Sequence, residues 1–203
     1  MAAIKVNPTR MELKRLKGQL ATARRGHKLL KDKCDELMRR FLDAVREAKE
    51  LREKLSVTLG DVDGRFSMAA AQTDPRMMTA ALMLPAGGGE LSVGEENIMS
   101  VIVPRYDFSY DKGRSASPYG FAFTTSSLDR ATDELTDVLP ELVHLAQLEK
   151  TSLLLCDEIE RTRRRVNALE YIMIPQYEVQ IKEISMKLDE NERSTQIRLM
   201  KVK

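Results

Sequence analysis

A chain of 203 residues with 42% hydrophobic, 32% charged and 5% aromatic residues and no tryptophan has too few bulky side chains for a thick globular core and suits long helices instead. The formal net charge of +2 singles out no class of partner. No stretch approaches the roughly 18 uncharged apolar residues of a membrane helix, and the N-terminus, with Lys5 and Arg10, lacks the apolar run of a secretory signal. Cys34 and Cys156 are too few for a disulfide framework and fit a reducing cytoplasm.

Charge is unevenly spread. Residues 1–31 hold nine Lys/Arg against one acid, Glu12, whereas residues 127–160 hold nine acids against Arg130 and Lys150. Two readings fit this polarity: a solvated helix surface with uneven charge, or a basic terminal end that meets an acidic surface.

Asn7-Pro8 opens the first element, with Asn7 and Thr9 as rival N-caps; Thr9 followed by Glu12 has the spacing of a capping box. From there Leu13, Leu16, Leu20, Ala23, His27, Leu30, Cys34, Leu37, Phe41, Ala44, Ala48, Leu51 and Leu55 follow in unbroken steps of three and four. This is a coiled-coil seam, narrower than the apolar stripe of a globular helix. A helix over 7–59 is expected, about 75 Å long from residues 9 to 58 at 1.5 Å per residue, so it needs a partner along its length. Gly18 and Gly26 lie off the seam, where another chain could pass close or where a surface glycine is tolerated. The pattern is expected to fail at Thr58-Leu59-Gly60-Asp61, with Gly60 as the stop.

Residues 60–126 are expected to form an insert rich in glycine and proline. It should hold a short helix over residues 64–73, a break at Asp74-Pro75 and another at residues 85–89. A β-hairpin is expected at about 90–104, with Leu91-Ser92-Val93 and Ile98 to Val103 flanking a turn at Gly94-Glu95-Glu96-Asn97, and with Pro104 ending the second strand. A lone hairpin is barely stable in water and should pack on the helices or on a partner. Residues 111–119 read as loop, and the aromatics within 106–123 form a candidate apolar docking patch.

A second long helix is expected over 127–203, with first-turn acids at Asp129 and Asp133 and a kink at Pro140. Its seam runs Leu145, Leu148, Ser152, Leu155, Ile159, Thr162, Val166, Leu169 and Met173, slips to steps of four through Tyr177 and Ile181, then resumes at Ile184 and Leu188 and carries on to Leu199 and Val202. The slip coincides with Pro175 and marks a bend, a local unwinding of the supercoil. The simplest closure is an all-α, antiparallel two-helix coiled coil in which residue i faces roughly residue 200 minus i. Cys34 then lies near Val166 and Cys156 near Ala44, about 15–18 Å apart, so both read as small core residues.

Signals for catalysis are poor. Gly87-Gly88-Gly89-Glu90 lacks the Lys-Ser/Thr of a phosphate-binding loop. His27 and His144 have no ligand-spaced neighbours, and His27 at a seam position suits a core polar residue that fixes register. Neither cysteine has a base beside it in sequence. The run Arg161-Thr162-Arg163-Arg164-Arg165 has acids before it and expected acids opposite it, so ion pairing within the rod accounts for it better than nucleic acid does.

The ends of the chain resemble a known family. Asn7-Pro8-Thr9-Arg10-Met11-Glu12-Leu13-Lys14-Arg15-Leu16-Lys17 with residues 21–30 (ATARRGHKLL), Arg65-Phe66-Ser67-Met68-Ala69, and Arg164-Arg165-Val166-Asn167-Ala168-Leu169-Glu170-Tyr171 with Ile172-Met173-Ile174-Pro175 resemble the D subunit of the V-type/A-type ATPases, in a form that looks prokaryotic. The resemblance implies a non-catalytic central rotor shaft without cofactor or metal. Its terminal helices would enter the catalytic head of A and B subunits. Its other end would engage the F subunit and, through the C (or d) subunit, the membrane ring. It would sit at the cytoplasmic face, bind no nucleic acid, and transmit torque between ATP chemistry and proton or sodium movement. On this reading Arg10, Lys14, Arg24, Arg25 and Lys28 contribute to the head contact. The rival reading is a free-standing coiled-coil adaptor that binds nucleic acid or an acidic protein through residues 1–31.

Overall fold

The computed structural model of the chain describes residues 7–83, 89–110, 119 and 124–202. Its elements are α1 (Arg10–Gln72), α2 (Pro75–Leu82), β1 (Gly89–Ile98), β2 (Val101–Tyr110), α3 (Ser126–Ala168), a π-helical turn (Leu169–Met173) and α4 (Ile174–Val202). The expected break at 85–88, most of the expected loop at 111–119, and Phe121 and Phe123 of the aromatic patch lie outside the described residues.

The chain divides into two compact units: Met1–Met38 with Glu158–Lys203, and Arg39–Asp157. In each, a segment of α1 pairs antiparallel with chain from the C-terminal half. In the first unit Arg10 pairs with Glu192, Arg24 with Glu178 at 2.7 Å, His27 with Glu170 at 3.3 Å and Lys33 with Glu158 at 3.6 Å. In the second, Glu47 meets His144 at 3.3 Å, Arg52 meets Glu149, and Arg65 meets Glu134. Partners climb along one strand of the pair as they descend along the other, close to the expected register.

Thr9 is the N-cap of α1: its Oγ1 accepts from Glu12 N at 3.2 Å and its carbonyl accepts from Leu13 N at 3.0 Å. The capping-box position therefore wins over Asn7, although Glu12 turns its carboxylate to Arg15. The helix does not stop at Gly60. A Cβ added at Gly60 or Gly64 would meet nothing within 4 Å, and the steps of three and four run on through Leu59, Val62, Phe66, Ala69 and Thr73. Val62 and Ala69 are buried, so continued burial outweighs the roughly 1 kcal/mol that each helical glycine costs. The short helix expected at 64–73 is the end of α1. The break at Asp74-Pro75 does occur, and there Asp74 Oδ1 caps α2 by accepting from Arg76 N at 2.8 Å. The second unit then has a small core where Ala69, Met78, Ala81 and Leu128 pack together with Tyr119 against them.

The hairpin is longer than expected and turns elsewhere. Its ten pairs run from Gly89↔Tyr110 to Ile98↔Val101, and the two-residue turn is Met99-Ser100, with φ of 53° and 72°. Gly94 to Asn97 lie within β1 and form no turn. Asn97 instead braces the true turn, its Oδ1 accepting from Ser100 N at 2.8 Å. Pro104 continues β2 rather than ending it, because the missing N–H falls where the ladder uses none.

Pro140 stands inside α3, which stays helical across it. Near Pro175 the helix passes through the π-helical turn and resumes at Ile174. Proline cannot donate to the carbonyl four residues back, and a one-residue widening of the preceding turn relieves that conflict.

Candidate functional site

Along the first unit the two helices present a buried seam and a charged flank. On α1, Leu16 and Leu37 are buried, with Leu37 fully so, while Leu13, Leu20 and Leu30 are half-buried. From the C-terminal half, Ile159, Thr162, Val166 and Ile184 are buried and Leu169, Ile181 and Leu188 half-buried. In the second unit Leu55 and Leu155 are buried, and Phe41 and Leu51 half-buried. Met173, Leu199 and Val202 are exposed, the last two at 67% and 88%. Glu192 already faces Arg10 at the start of α1, so the last ten residues of α4 run past the end of that helix.

The two cysteines differ. Cys34 is half-buried, in a cleft of about 240 Å³ that Val166 also lines. Cys156 is exposed, which corrects its reading as a core residue: Leu155 takes the seam position, at 1% exposure, and its neighbour is turned outward. Both thiols are free. His27, at a seam position with its side chain 21% exposed, reaches Glu170 in the π-helical turn, so its polar edge is directed to the rim of the pair.

The five basic residues all stand exposed on α1. Their spacing places them within about 100° of the helix circumference, beside the seam rather than opposite it. They are not equivalent. Arg10 and Arg24 lean towards the paired helix and bind Glu192 and Glu178. Arg25 folds back onto its own helix, with Nε donating to the Ala21 carbonyl at 3.4 Å. Lys14 and Lys28 carry no ion pair among the described residues. The free positive charge of this flank therefore rests on Lys14, Arg25 and Lys28. The glutamates that take up Arg10 and Arg24 carry no signal of their own in the sequence, although the antiparallel register points to them. In the arginine run, Thr162 is buried at 1% exposure and Arg164 pairs with Glu160 on its own helix.

Among the described residues no group of His, Cys, Asp and Glu is placed to hold a metal ion, and no described helix is long and apolar enough to cross a membrane. The second unit offers an apolar groove of about 380 Å³ between Leu59, Val62 and Phe66 of α1, Leu82 of α2, and Ala131 and Leu135 of α3.

The family model that describes the D subunit of ATP synthase matches residues 12–203. The chain is similar to the V-type ATP synthase D subunit of Acetivibrio thermocellus, 57% identical over 205 residues covering 100% of this chain and 92% of the relative. It is 51% identical over 203 residues to that of Thermoanaerobacter pseudethanolicus, covering 100% and 97% of the two chains. It is 53% identical over 204 residues to that of Clostridium botulinum, covering 98% and 94%.

Proposed function

We propose that this chain, which belongs to the family of ATP synthase D subunits, is the central shaft of a rotary V-type ATPase, carrying torque between a catalytic A/B head and a membrane ring that moves protons or sodium. The observation that supports this reading is the run of interhelical pairs from Arg10–Glu192 to Arg24–Glu178 in one unit and from Glu47–His144 to Arg65–Glu134 in the other. A torque-bearing element must resist twisting. Two helices packed along a seam resist it together, because neither can rotate without dragging buried side chains of the other out of register.

In this role the chain does no chemistry of its own, and ATP is made or hydrolysed in the head. The paired helices α1, α3 and α4 form the shaft, and the residues between α1 and α3 form an insert. The terminal end sits in the head, and the other end engages the F subunit and the C (or d) subunit. The complex is peripheral at the cytoplasmic face. Lys14, Arg25 and Lys28, with Arg10 and Arg24 beside them, meet acidic surfaces of the head through exposed, screened contacts that let the shaft turn. Pro175 sets a bend that pushes the catalytic interfaces unequally.

The test is reconstitution with a catalytic A/B hexamer, the F and C (or d) subunits and the membrane ring. The chain should co-purify with the hexamer and couple its ATP hydrolysis to the ring. Failure to associate, or nucleotide turnover by the isolated chain, would reject the reading.

A further inference from the structure

The hairpin has two outer edges, and they differ. In an antiparallel ladder, pairs that exchange both backbone hydrogen bonds alternate with pairs whose N–H and C=O point away from the partner strand. The two-residue turn makes Ile98↔Val101 the closing bonded pair, so Glu96↔Val103, Gly94↔Arg105, Ser92↔Asp107 and Glu90↔Ser109 are bonded as well. The outward groups of β2 then belong to Ile102, Pro104, Tyr106 and Phe108. Pro104 has no N–H to offer there, and Tyr106 N donates to Gln147 Oε1 of α3 at 3.0 Å. That edge is therefore met by α3 at Tyr106 and broken by the proline at Pro104.

The outward groups of β1 belong to Leu91, Val93, Glu95 and Asn97. No hydrogen bond among the described residues satisfies them, and β1 has β2 as its one strand neighbour there. Nine of its ten residues are exposed, with Leu91 at 49% and Val93 at 64%. Edge strands are normally protected by lysine, proline, a bulge or short length. This one has ten residues in unbroken register and neither lysine nor proline. It carries instead Glu90, Glu95 and Glu96, with no basic residue.

We propose that the free edge of β1 takes up an extended, basic segment of a partner polypeptide by strand addition. Leu91 and Val93 share one face of the hairpin, so the incoming strand places apolar side chains there. Glu90 and Glu96 share the other face, so its alternate residues are lysine or arginine, within the reach of cross-strand neighbours. A second copy of this chain fits poorly, because edge-to-edge pairing would set the glutamates of one β1 beside those of the other.

The probe is a fluorescent octapeptide of alternating valine and lysine, titrated against the full chain at low salt. Bound peptide should slow amide exchange at Leu91, Val93, Glu95 and Asn97. Val93→Pro removes an outward N–H while leaving the inner ladder intact, and should weaken binding about ten-fold or more. The double change Glu90→Lys with Glu96→Lys, on exposed side chains of that shared face, should reverse the preference towards a valine–glutamate octapeptide. The proposal is overturned if the doubly reversed chain still prefers the lysine peptide, if Val93→Pro binds as the parent does, or if no peptide protects those amides. Self-association abolished by Val93→Pro would likewise overturn it, by assigning the edge to a second copy.

Discussion

Among single residues, the seam and the glycines beside it respond to substitution in opposite directions. Leu37 is fully buried, so Leu37→Ala should destabilise the chain by about 2–5 kcal/mol, measured by urea unfolding; a loss no larger than that of an exposed Leu29→Ala control would mean that the seam is not packed there. Gly18 has open space where a Cβ would go, so Gly18→Ala should stabilise the isolated chain by about 0.5–1 kcal/mol. If a head subunit passes close to that position, the same change should weaken assembly while it raises stability, and equal assembly would show that nothing approaches. His27 is legible in the sequence as a polar seam residue because it interrupts an otherwise apolar or small series. Its partner Glu170 is not, since the π-helical turn shifts the register locally. Cys156 misleads in the sequence because a small apolar residue suits a seam, yet Leu155 and Cys156 cannot both occupy one that advances by threes and fours.

For the elements, α1, the second long helical stretch and the hairpin can all be read from hydrophobic period, but their ends cannot. Gly60 looks like a stop because glycine is the usual helix terminator, yet the seam steps to Leu59, Val62 and Ala69 are present in the sequence and tertiary burial prevails. The true hairpin turn is hidden because Met99-Ser100 lacks the Asn-Gly signature of a two-residue turn, while Gly94-Glu95-Glu96-Asn97 imitates a looser one. Both turn residues hold positive φ, at about 1–2 kcal/mol per non-glycine residue. Replacing them by Met99→Asn with Ser100→Gly should therefore slow amide exchange across the ladder, and unchanged exchange would contradict the turn assignment. Pro175 acts through its element as well. Pro175→Ala restores an N–H and removes the reason for the π-helical turn at Leu169–Met173. If the bend loads the catalytic interfaces unequally, coupled transport should fall while hydrolysis by the head persists; full coupling would reject the bend's role.

Across the molecule, pairing between the two ends of the chain is the most legible feature, because two seams of the same period, carried by helices too long to fold back on themselves, leave antiparallel pairing as the simplest closure. The partner surfaces are less legible, because charge on a helix flank serves pairing within the chain and contact beyond it alike. Arg10 and Arg24 show the first use, in pairs with Glu192 and Glu178. Neutralising Lys14, Arg25 and Lys28 together should therefore lower head affinity and flatten its salt dependence more than neutralising Arg10 and Arg24. Equal effects would mean that the flank is not the contact.

If the paired helices turn as a shaft within a catalytic head, that turning can be watched. A bead is fixed at the hairpin, the chain is seated in an immobilised A/B hexamer, and single molecules are followed. ATP should drive the bead in one direction, and rotation should stop when ATP is exhausted. A bead that stays fixed while the hexamer hydrolyses ATP at full rate would contradict the shaft.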